Sequence, residues 1–259
     1  MSTPAGHGRP LVAPAATRVV PVLLLVAIAS GCWVVTADRM QGMDAGPGTD
    51  LGRLGWFAVV WLTMMAAMML PSLSPMAITC ACDAGTRPAR SIVRAVVFAT
   101  GYLLIWMVFG VVAYALVEGL RSLDLRFLAW GRAGQYLAGG VVLAAALYEL
   151  TAAKARCLRH CLDTRLVRHQ PGLKGALAMG IEQGGFCVGC SGFLMAALFA
   201  LGVMSVAWML LIAALVLIQK LLPWTPITIG TTAVALLLLG VAVMLVPAQV
   251  PWLTIPMSM

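Results

Sequence analysis

Seven runs of apolar residues alternate with short polar connections along the chain. An α-helix needs about 20 mainly apolar residues to cross a bilayer. The predicted spans are residues 19–36, 55–70, 92–117, 136–153, 186–203, 205–222 and 228–246. We expect Pro71 to end the second span, because proline interrupts helical hydrogen bonding. The weaker apolar stretch 175–185 suits a re-entrant or interfacial segment, so the pattern predicts six or seven spans.

The composition indicates a membrane protein. Of the 259 residues, 62% are apolar and 10% are charged, whereas soluble domains average about 45–50% apolar and about 25% charged. A soluble globular fold and a disordered chain are therefore excluded. We predict an all-α fold, with a single transmembrane helix bundle at 19–246. A cytoplasmic N-terminal tail at 1–18 and a C-terminal tail at 247–259 flank this bundle.

The net charge of +8 is thinly spread, so it indicates membrane topology and no nucleic-acid partner. Cytoplasmic connections carry an excess of Lys and Arg. Twelve basic residues fall on one predicted side: Arg9, Arg18, Arg87, Arg90, Arg94, Lys154, Arg156, Arg159, Arg165, Arg168, Lys174 and Lys220. Five fall on the other: Arg39, Arg53, Arg121, Arg126 and Arg132. We predict a multi-pass protein of the bacterial inner membrane, surrounded by the lipid bilayer, with its N-terminus in the cytoplasm.

Six of the seven cysteines form close pairs along the chain. The pairs are Cys80 with Cys82, Cys157 with Cys161, and Cys187 with Cys190. In the predicted topology all three pairs lie at the cytoplasmic face: the first in a loop, the second at the inner extension of the fourth span, and the third at the start of the fifth. Because that face is reducing, metal binding or redox chemistry is favoured over structural disulfides.

Two of these pairs have spacings that suit one metal ion. Cys157 and Cys161 share a helix face, and His160 is a further candidate ligand on that face. Cys187 and Cys190 are separated by two residues, so both sulfurs can reach the same ion. Four thiolates, or three with an imidazole, match a tetrahedral zinc site and equally suit Cu(I). The alternative is that these cysteines pack as small apolar side chains in a bundle.

A methionine stripe in the second span is a further candidate. Trp61, Met64, Met65, Met68 and Met69 recur at helical spacing. Thioether sulfur is a soft ligand that favours Cu(I) over Zn(II), and the stripe runs towards the predicted cysteine face. Met64, Met68 and Met69 are therefore candidate ligands of a second tier. Such a stripe is also typical of adaptable core packing.

Three charged residues lie in apolar segments: Glu149, Glu182 and Lys220. Charges at membrane depth are costly and often functional. Each can also pair or reach an interface, so their roles stay open.

Four motifs together resemble a known bacterial family. They are Trp61-x-x-Met64-x-x-Ala67-Met68-Met69-Leu70-Pro71-x-x-x-Pro75; Gly101-Tyr102 with Trp106; Lys154-x-x-Cys157-Leu158-x-x-Cys161; and Gly184-x-x-Cys187-x-Gly189-Cys190 with Leu194-Met195. The family is domain of unknown function 2182, described as predicted metal-binding integral membrane proteins, and the resemblance covers roughly 55–223. It implies a polytopic inner-membrane protein with a metal site and no established reaction.

The chain also departs from that family's pattern. The family tends to carry a Cys and a Trp after the last cysteine pair, where this chain has Ser191 and Gly192. It tends to carry Gln in place of Glu149, and Glu in place of Gln219. If the family uses these positions as ligands, this chain binds metal more weakly or differently.

The predicted function is a membrane metal-binding protein, copper before zinc, in metal transport, delivery or homeostasis. One alternative is a thiol–disulfide oxidoreductase that passes electrons between Cys187/Cys190 and another pair. A second is a non-catalytic accessory protein that works with a partner membrane subunit. The sequence has no nucleotide-binding loop, catalytic triad or haem-attachment motif, so no catalytic residue is predicted. Transport direction and oligomeric state stay open.

Overall fold

Eight α-helices form the described part of the fold. The structure is a computed structural model, and it describes residues 15–40, 51–82, 88–122, 133–163, 172–202, 205–222 and 225–250. The helices are α1 (Ala15–Met40), α2 (Leu54–Cys82), α3 (Pro88–Ser122), α4 (Gln135–Glu149), α5 (Ala152–Leu162), α6 (Gly172–Gly202), α7 (Val206–Leu221) and α8 (Thr225–Leu245). A short 3-10 helix, Pro247–Gln249, follows α8. These ranges contain no strand, which confirms the predicted all-α fold.

Five of the described helices are long and apolar enough to cross a membrane. They contain the segments Val19–Met40, Leu54–Cys80, Ala89–Ser122, Gly172–Gly202 and Pro226–Leu245. Together α4 and α5 make a sixth if they are taken as one broken span, bent by 67°. Helix α7 has only 16 residues, about 24 Å at 1.5 Å per residue. By length and composition the described residues therefore hold five or six spans, where the apolar pattern predicted six or seven.

Proline does not end the second span, so that prediction was wrong. Helix α2 continues through Pro71 and Pro75 to Cys82. A proline lacks the N–H that would bond the carbonyl one turn earlier. The Ser74 hydroxyl donates to the Pro71 carbonyl at 2.9 Å, which is the group left without a donor by Pro75. Polar side chains of this kind allow proline inside membrane helices. Cys80 and Cys82, predicted in a loop, lie in the last turn of α2.

The stretch 175–185 is not a separate segment. It forms the first half of α6, and the predicted fifth span from 186 onwards forms the second half. The pair Cys187 and Cys190 therefore lies near the middle of a long helix and not at its start. Gly180 and Gly184, which weaken the apolar signal in this stretch, have a packing role against α3, because small residues let membrane helices approach closely.

Close backbone contact joins α3 and α6. A Cβ on Gly101 would lie 2.5 Å from the carbonyl oxygen of Leu177, and one on Gly184 would lie 3.0 Å from that of Tyr102. Residue numbers increase in the same direction along both helices at these contacts, so α3 and α6 run parallel. Helices α4 and α8 run antiparallel and meet at a similar pair, where a Cβ on Gly139 would lie 2.8 Å from the carbonyl oxygen of Gly240.

The predicted fourth span breaks before its expected end. Helix α4 stops at Glu149, and Thr151 caps a new helix by accepting a hydrogen bond from the backbone N–H of Lys154 at 3.2 Å. Such a cap satisfies one of the free amides at a helix start. The 67° change of direction places α5 against α6. The two cysteines of α5 are thereby brought beside the two cysteines of α6.

A single arginine joins three helices at one end of the bundle. The side chain of Arg94, in α3, donates to the carbonyl of Cys80 at 3.1 Å and to that of Gly172 at 2.8 Å. The end of α2 and the starts of α3 and α6 therefore lie together.

Candidate metal centre

Three thiols meet where the end of α5 packs on the middle of α6. The sulfurs of Cys161 and Cys190 are 3.8 Å apart, and Cys161 is close enough to Cys187 for a side-chain interaction as well. All three are buried, with exposed fractions of 9%, 0% and 2% for Cys161, Cys187 and Cys190. The Cys190 thiol donates to the carbonyl of Cys187 at 3.3 Å. We call these three residues the thiol cluster.

Polar side chains from other helices surround Cys187. Its sulfur lies 2.9 Å from the hydroxyl of Tyr102, in α3, and accepts from the ammonium of Lys220, in α7, at 3.0 Å. The same ammonium donates to the hydroxyl of Ser72, in α2, at 3.3 Å. Cys190 contacts the hydroxyl of Ser191 at 3.3 Å. The thiol cluster thus has a cation and several hydroxyl groups beside it, inside a mainly apolar bundle.

Cys157 lies beside the cluster and not within it. It is half-buried, one turn before Cys161 on α5. A Cβ on Gly189 would lie 2.7 Å from the Cys157 sulfur, so a larger residue at that position would have to displace the Cys157 side chain. The hydroxyl of Tyr148 donates to the Gly189 carbonyl at 2.6 Å. The structure therefore brings three of the four predicted cysteine ligands together and leaves the fourth adjacent.

His160 points away from the thiol cluster. Its ring stacks on Phe186 with centroids 3.6 Å apart, and its Nε2 lies 3.5 Å from a carboxylate oxygen of Glu182. His160 and Phe186 help to line an open groove beside α5. Of the charged residues left open by the sequence, Glu182 thus contacts a residue of this groove, whereas Lys220 contacts the thiol cluster.

The third of those charged residues, Glu149, lies in a buried ion pair at the bend between α4 and α5. One carboxylate oxygen accepts from Lys154 at 2.5 Å, and the other accepts from the amide of Gln219 at 2.9 Å. The Lys154 ammonium also donates to the Gln219 carbonyl oxygen at 2.9 Å. All three side chains are buried. Every charge is paired, as burial in an apolar interior requires, and the triad ties the bend to the end of α7.

The predicted methionine ligands are buried in α2. Met64, Met68 and Met69 are among the core residues of the bundle. Met68 lies one helical turn before Ser72, and residues four apart share a helix face. Because Ser72 accepts from the lysine that also contacts Cys187, the stripe leads towards the thiol cluster.

Within the described ranges, no three or more His, Cys, Asp and Glu side chains already converge on one metal-binding point. In the cluster, the Cys187 sulfur is also hydrogen-bonded to Tyr102 and Lys220. Sequence reasoning named all three thiols as candidates. It gave no site role to Ser72, because an isolated hydroxyl in an apolar helix gives no spacing signal, and it included Tyr102 only in a family motif.

Comparison with known proteins identifies the family. A family model described as a copper chaperone, PpoB2, matches residues 58–243. The match includes the thiol cluster, its polar neighbours, the methionine stripe and the buried triad. Neither the curated proteins nor the solved structures give a match. With its membrane-length helices and a match over most of its length, this chain is a membrane protein that belongs to the PpoB2 copper chaperone family.

Proposed function

We propose that the protein carries Cu(I) as cargo on the thiol cluster of Cys161, Cys187 and Cys190. The observation that carries this proposal is the 3.8 Å separation of the Cys161 and Cys190 sulfurs. Two sulfurs at about 2.3 Å from one tetrahedral ion are about 3.8 Å apart. The pair therefore has the spacing of two ligands of one ion, and Cys187 is the adjacent third donor.

The surroundings of the cluster support copper as the cargo. Cu(I) bound by three thiolates has a net negative charge, which is costly in an apolar bundle unless a cation is near. The ammonium of Lys220 supplies that charge 3.0 Å from Cys187. When Cys187 turns towards a bound ion, its hydrogen bonds to Tyr102 and Lys220 hold the thiolate in place, as second-shell partners orient metal ligands.

Copper is favoured over zinc by the number and softness of the donors. Three buried thiols suit Cu(I), whereas a structural zinc site is almost always completed to four ligands. His160, which could have completed it, is stacked on Phe186 outside the cluster. The thioethers of Met64, Met68 and Met69 lead to Ser72, and only Cu(I) among these two ions would use them. We propose this stripe as a second tier of transient copper ligands.

We propose delivery of copper in place of storage, and the arrangement of helices supports this role. The cluster is shared between the long helix α6 and the short helix α5, which follows a bend, so one ligand can be withdrawn from the other two. Cys157, one turn away and more exposed, gives the ion an intermediate ligand outside the cluster. We propose a bacterial inner-membrane location, with the N-terminus in the cytoplasm, on the distribution of Lys and Arg.

The first test is an anaerobic Cu(I) titration of the purified protein against a chromophoric Cu(I) chelator. We expect Cys161→Ser, Cys187→Ser and Cys190→Ser each to weaken binding by more than the roughly 10–100-fold typical of losing a supporting partner. Cys32→Ser is the matched control, because Cys32 is a half-buried thiol on α1 outside the cluster. Unchanged affinity in all three variants would overturn the proposal.

Methionine variants extend the same titration to the second tier. Met68→Leu nearly conserves volume and should cost less than about 1.5 kcal/mol of stability. We expect it to slow copper handling in cells while the titrated affinity of the thiol cluster is retained. Met209→Leu is the control, since Met209 is equally buried but lies in the first turn of α7. Identical copper handling in the two variants would mean that the methionine stripe has only a packing role in the core.

The close approach of Cys161 and Cys190 also favours one second candidate, the thiol–disulfide oxidoreductase. Two neighbouring thiols can form a disulfide and exchange it through a mixed-disulfide intermediate. A relay of this kind would show a trapped mixed disulfide when Cys161 alone is replaced, with no copper bound by the unmodified protein. Stoichiometric Cu(I) binding without such a species would eliminate this candidate.

A further inference from the structure

An open groove of about 960 Å³ runs beside α5, separate from the thiol cluster. The residues that line it include Arg156, Cys157, Arg159, His160 and Phe186. Its volume lies within the roughly 300–1,000 Å³ of small-molecule sites. The groove has one thiol, three basic side chains and one aromatic face, and the proposed function uses only its thiol, Cys157.

The two arginines that line the groove can bind an anion. Arg156 and Arg159 are exposed, and each donates its Nε to a carbonyl of its own helix at 3.3 Å. Neither forms a salt bridge with an acidic residue in the described ranges. Their terminal amino groups are therefore available to an anionic ligand, and Arg binds carboxylates through paired hydrogen bonds. The acidic lining residue, Asp163, is at the C-cap of α5.

Cys157 connects the groove to the cluster. It lines the groove, and it precedes Cys161 by one turn, so the two sulfurs share a helix face. Cys161, Cys187 and Cys190 are buried, whereas Cys157 is half-buried. A ligand in the groove can therefore reach Cys157 directly, whereas the three thiols of the cluster do not line the groove.

We propose that this groove binds a small anionic thiol that carries Cu(I), and that Cys157 takes the copper from it. The proposal rests on the proposed function of the thiol cluster. Arg156 and Arg159 bind the carboxylates of the carrier. The Phe186 ring, with the His160 ring stacked on it, forms an apolar surface that contacts the uncharged part of the carrier. The two arginines thus recognise the carboxylates of the carrier, and the Cys157 thiol recognises its thiolate-bound Cu(I).

The transfer is a ligand exchange without a change of oxidation state. The bond between copper and the carrier sulfur breaks as a bond between copper and the Cys157 sulfur forms. The proton of the Cys157 thiol passes to the released carrier thiolate, and copper remains Cu(I) throughout. In a second exchange the bond between copper and Cys157 breaks as a bond between copper and Cys161 forms, and the proton of the Cys161 thiol returns to the Cys157 sulfur.

The test measures the rate at which protein in nanodiscs of zwitterionic lipid takes Cu(I) from two donors under anaerobic conditions. One donor is Cu(I)–glutathione, which has two carboxylates, and the other is Cu(I)–mercaptoethanol, which has none. Local positive charge raises association rates of anions by about 10–1,000-fold. We therefore expect Arg156→Gln with Arg159→Gln to slow uptake from glutathione about tenfold or more, with little effect on uptake from mercaptoethanol.

Three comparisons complete the experiment. Arg53→Gln with Arg90→Gln removes the same charge from exposed positions outside the groove and should leave both rates unchanged. Cys157→Ser should slow both donors and preserve the final Cu(I) affinity of the cluster. Adding anionic lipid should leave the donor difference intact; a loss of that difference would overturn the proposal in favour of a lipid headgroup site.

The results of this experiment distinguish the groove proposal from the proposed function of the thiol cluster. If the groove variants take copper from both donors at the unmodified rate while the cluster still binds Cu(I), the groove proposal is wrong and the proposed function stands. If the unmodified protein binds no Cu(I) from either donor, both are wrong.

Discussion

At the scale of single residues, Lys220 is the side chain on which the chemistry of the thiol cluster most depends. Its ammonium contacts both Cys187 and Ser72. Lys220→Met keeps an apolar chain of similar length but removes the charge and the donor. Loss of a second-shell partner typically costs about 10–100-fold in metal affinity, and we expect a loss of this size in a Cu(I) competition titration.

Two further variants give this prediction its controls. Lys220→Arg retains the charge and should recover most of the affinity. Lys174→Met removes an exposed lysine in the first turn of α6 and should have no effect. Equal affinity of Lys220→Met and the unmodified protein would mean that the lysine only packs against Cys187.

The residues of the cluster were predictable to the extent that they come in pairs. The spacing of Cys187 and Cys190, and the helical register of Cys161, are visible in the sequence. The exclusion of Cys157 was not, because it depends on how far α5 is tilted onto Gly189. Tyr102 is remote in the sequence and reaches the cluster only through helix packing, so no local pattern could have indicated its role.

At the scale of elements, the bend between α4 and α5 determines where Cys161 lies. Lys154 is fully buried and hydrogen-bonds both Glu149 and Gln219. Lys154→Met would leave a buried carboxylate without its cation, which typically costs about 3–5 kcal/mol. We expect a lower unfolding midpoint, measured in detergent, and reduced Cu(I) affinity because α5 loses its position.

The triad provides an isosteric control for that prediction. Lys154 contacts one oxygen of Glu149 and one of Gln219, so Glu149→Gln with Gln219→Glu keeps one carboxylate and one amide beside it. We expect this exchange to retain stability and copper binding. These two positions are also where the chain departs from the resembled family's pattern, and the exchange would give each position the residue expected there. A loss of stability equal to that of Lys154→Met would show that the position of the carboxylate matters, contrary to our expectation.

The helices themselves were predictable wherever apolar length alone decides the outcome. The first, third and last spans agree with α1, α3 and α8 apart from their ends. The prediction failed at Pro71 and in the stretch 175–185, where a proline or several glycines resemble an interruption. In both places neighbouring side chains or helices supply what the local sequence lacks, and such tertiary compensation is not readable along the chain.

At the scale of the whole molecule, Arg94 fixes which helix ends lie together and thereby relates the structure to topology. The end of α2 and the starts of α3 and α6 share one end of the bundle. The excess of Lys and Arg predicts that this end faces the cytoplasm. We expect a reporter fused after Arg168 to be cytoplasmic and one fused after Arg126 to lie across the membrane.

A reversed reporter result would place the same helix ends on the outer side. The cysteines would then adjoin an oxidising compartment, and the oxidoreductase candidate would gain at the expense of copper. A fusion after Arg9 provides the internal control, since the predicted topology places it on the same side as Arg168.

The prediction, made from the thiols, that this protein is related to copper is confirmed at the level of the family. The resemblance to domain of unknown function 2182 stays a prediction.

The parallel backbone contact of α3 and α6 determines how a bound ion could leave. The two backbones are in close contact at Gly101, Gly180 and Gly184, so we expect Tyr102, Cys187 and Cys190 to keep fixed positions relative to one another. Of the thiol cluster, only Cys161 lies on α5, the short helix beyond the bend. Under the proposed copper chemistry, movement of α5 then withdraws the Cys161 sulfur. The ion is left on Cys187 and Cys190 with one ligand fewer, and it can be released. Under the same proposal, the acceptor present at that moment sets the direction of copper flow.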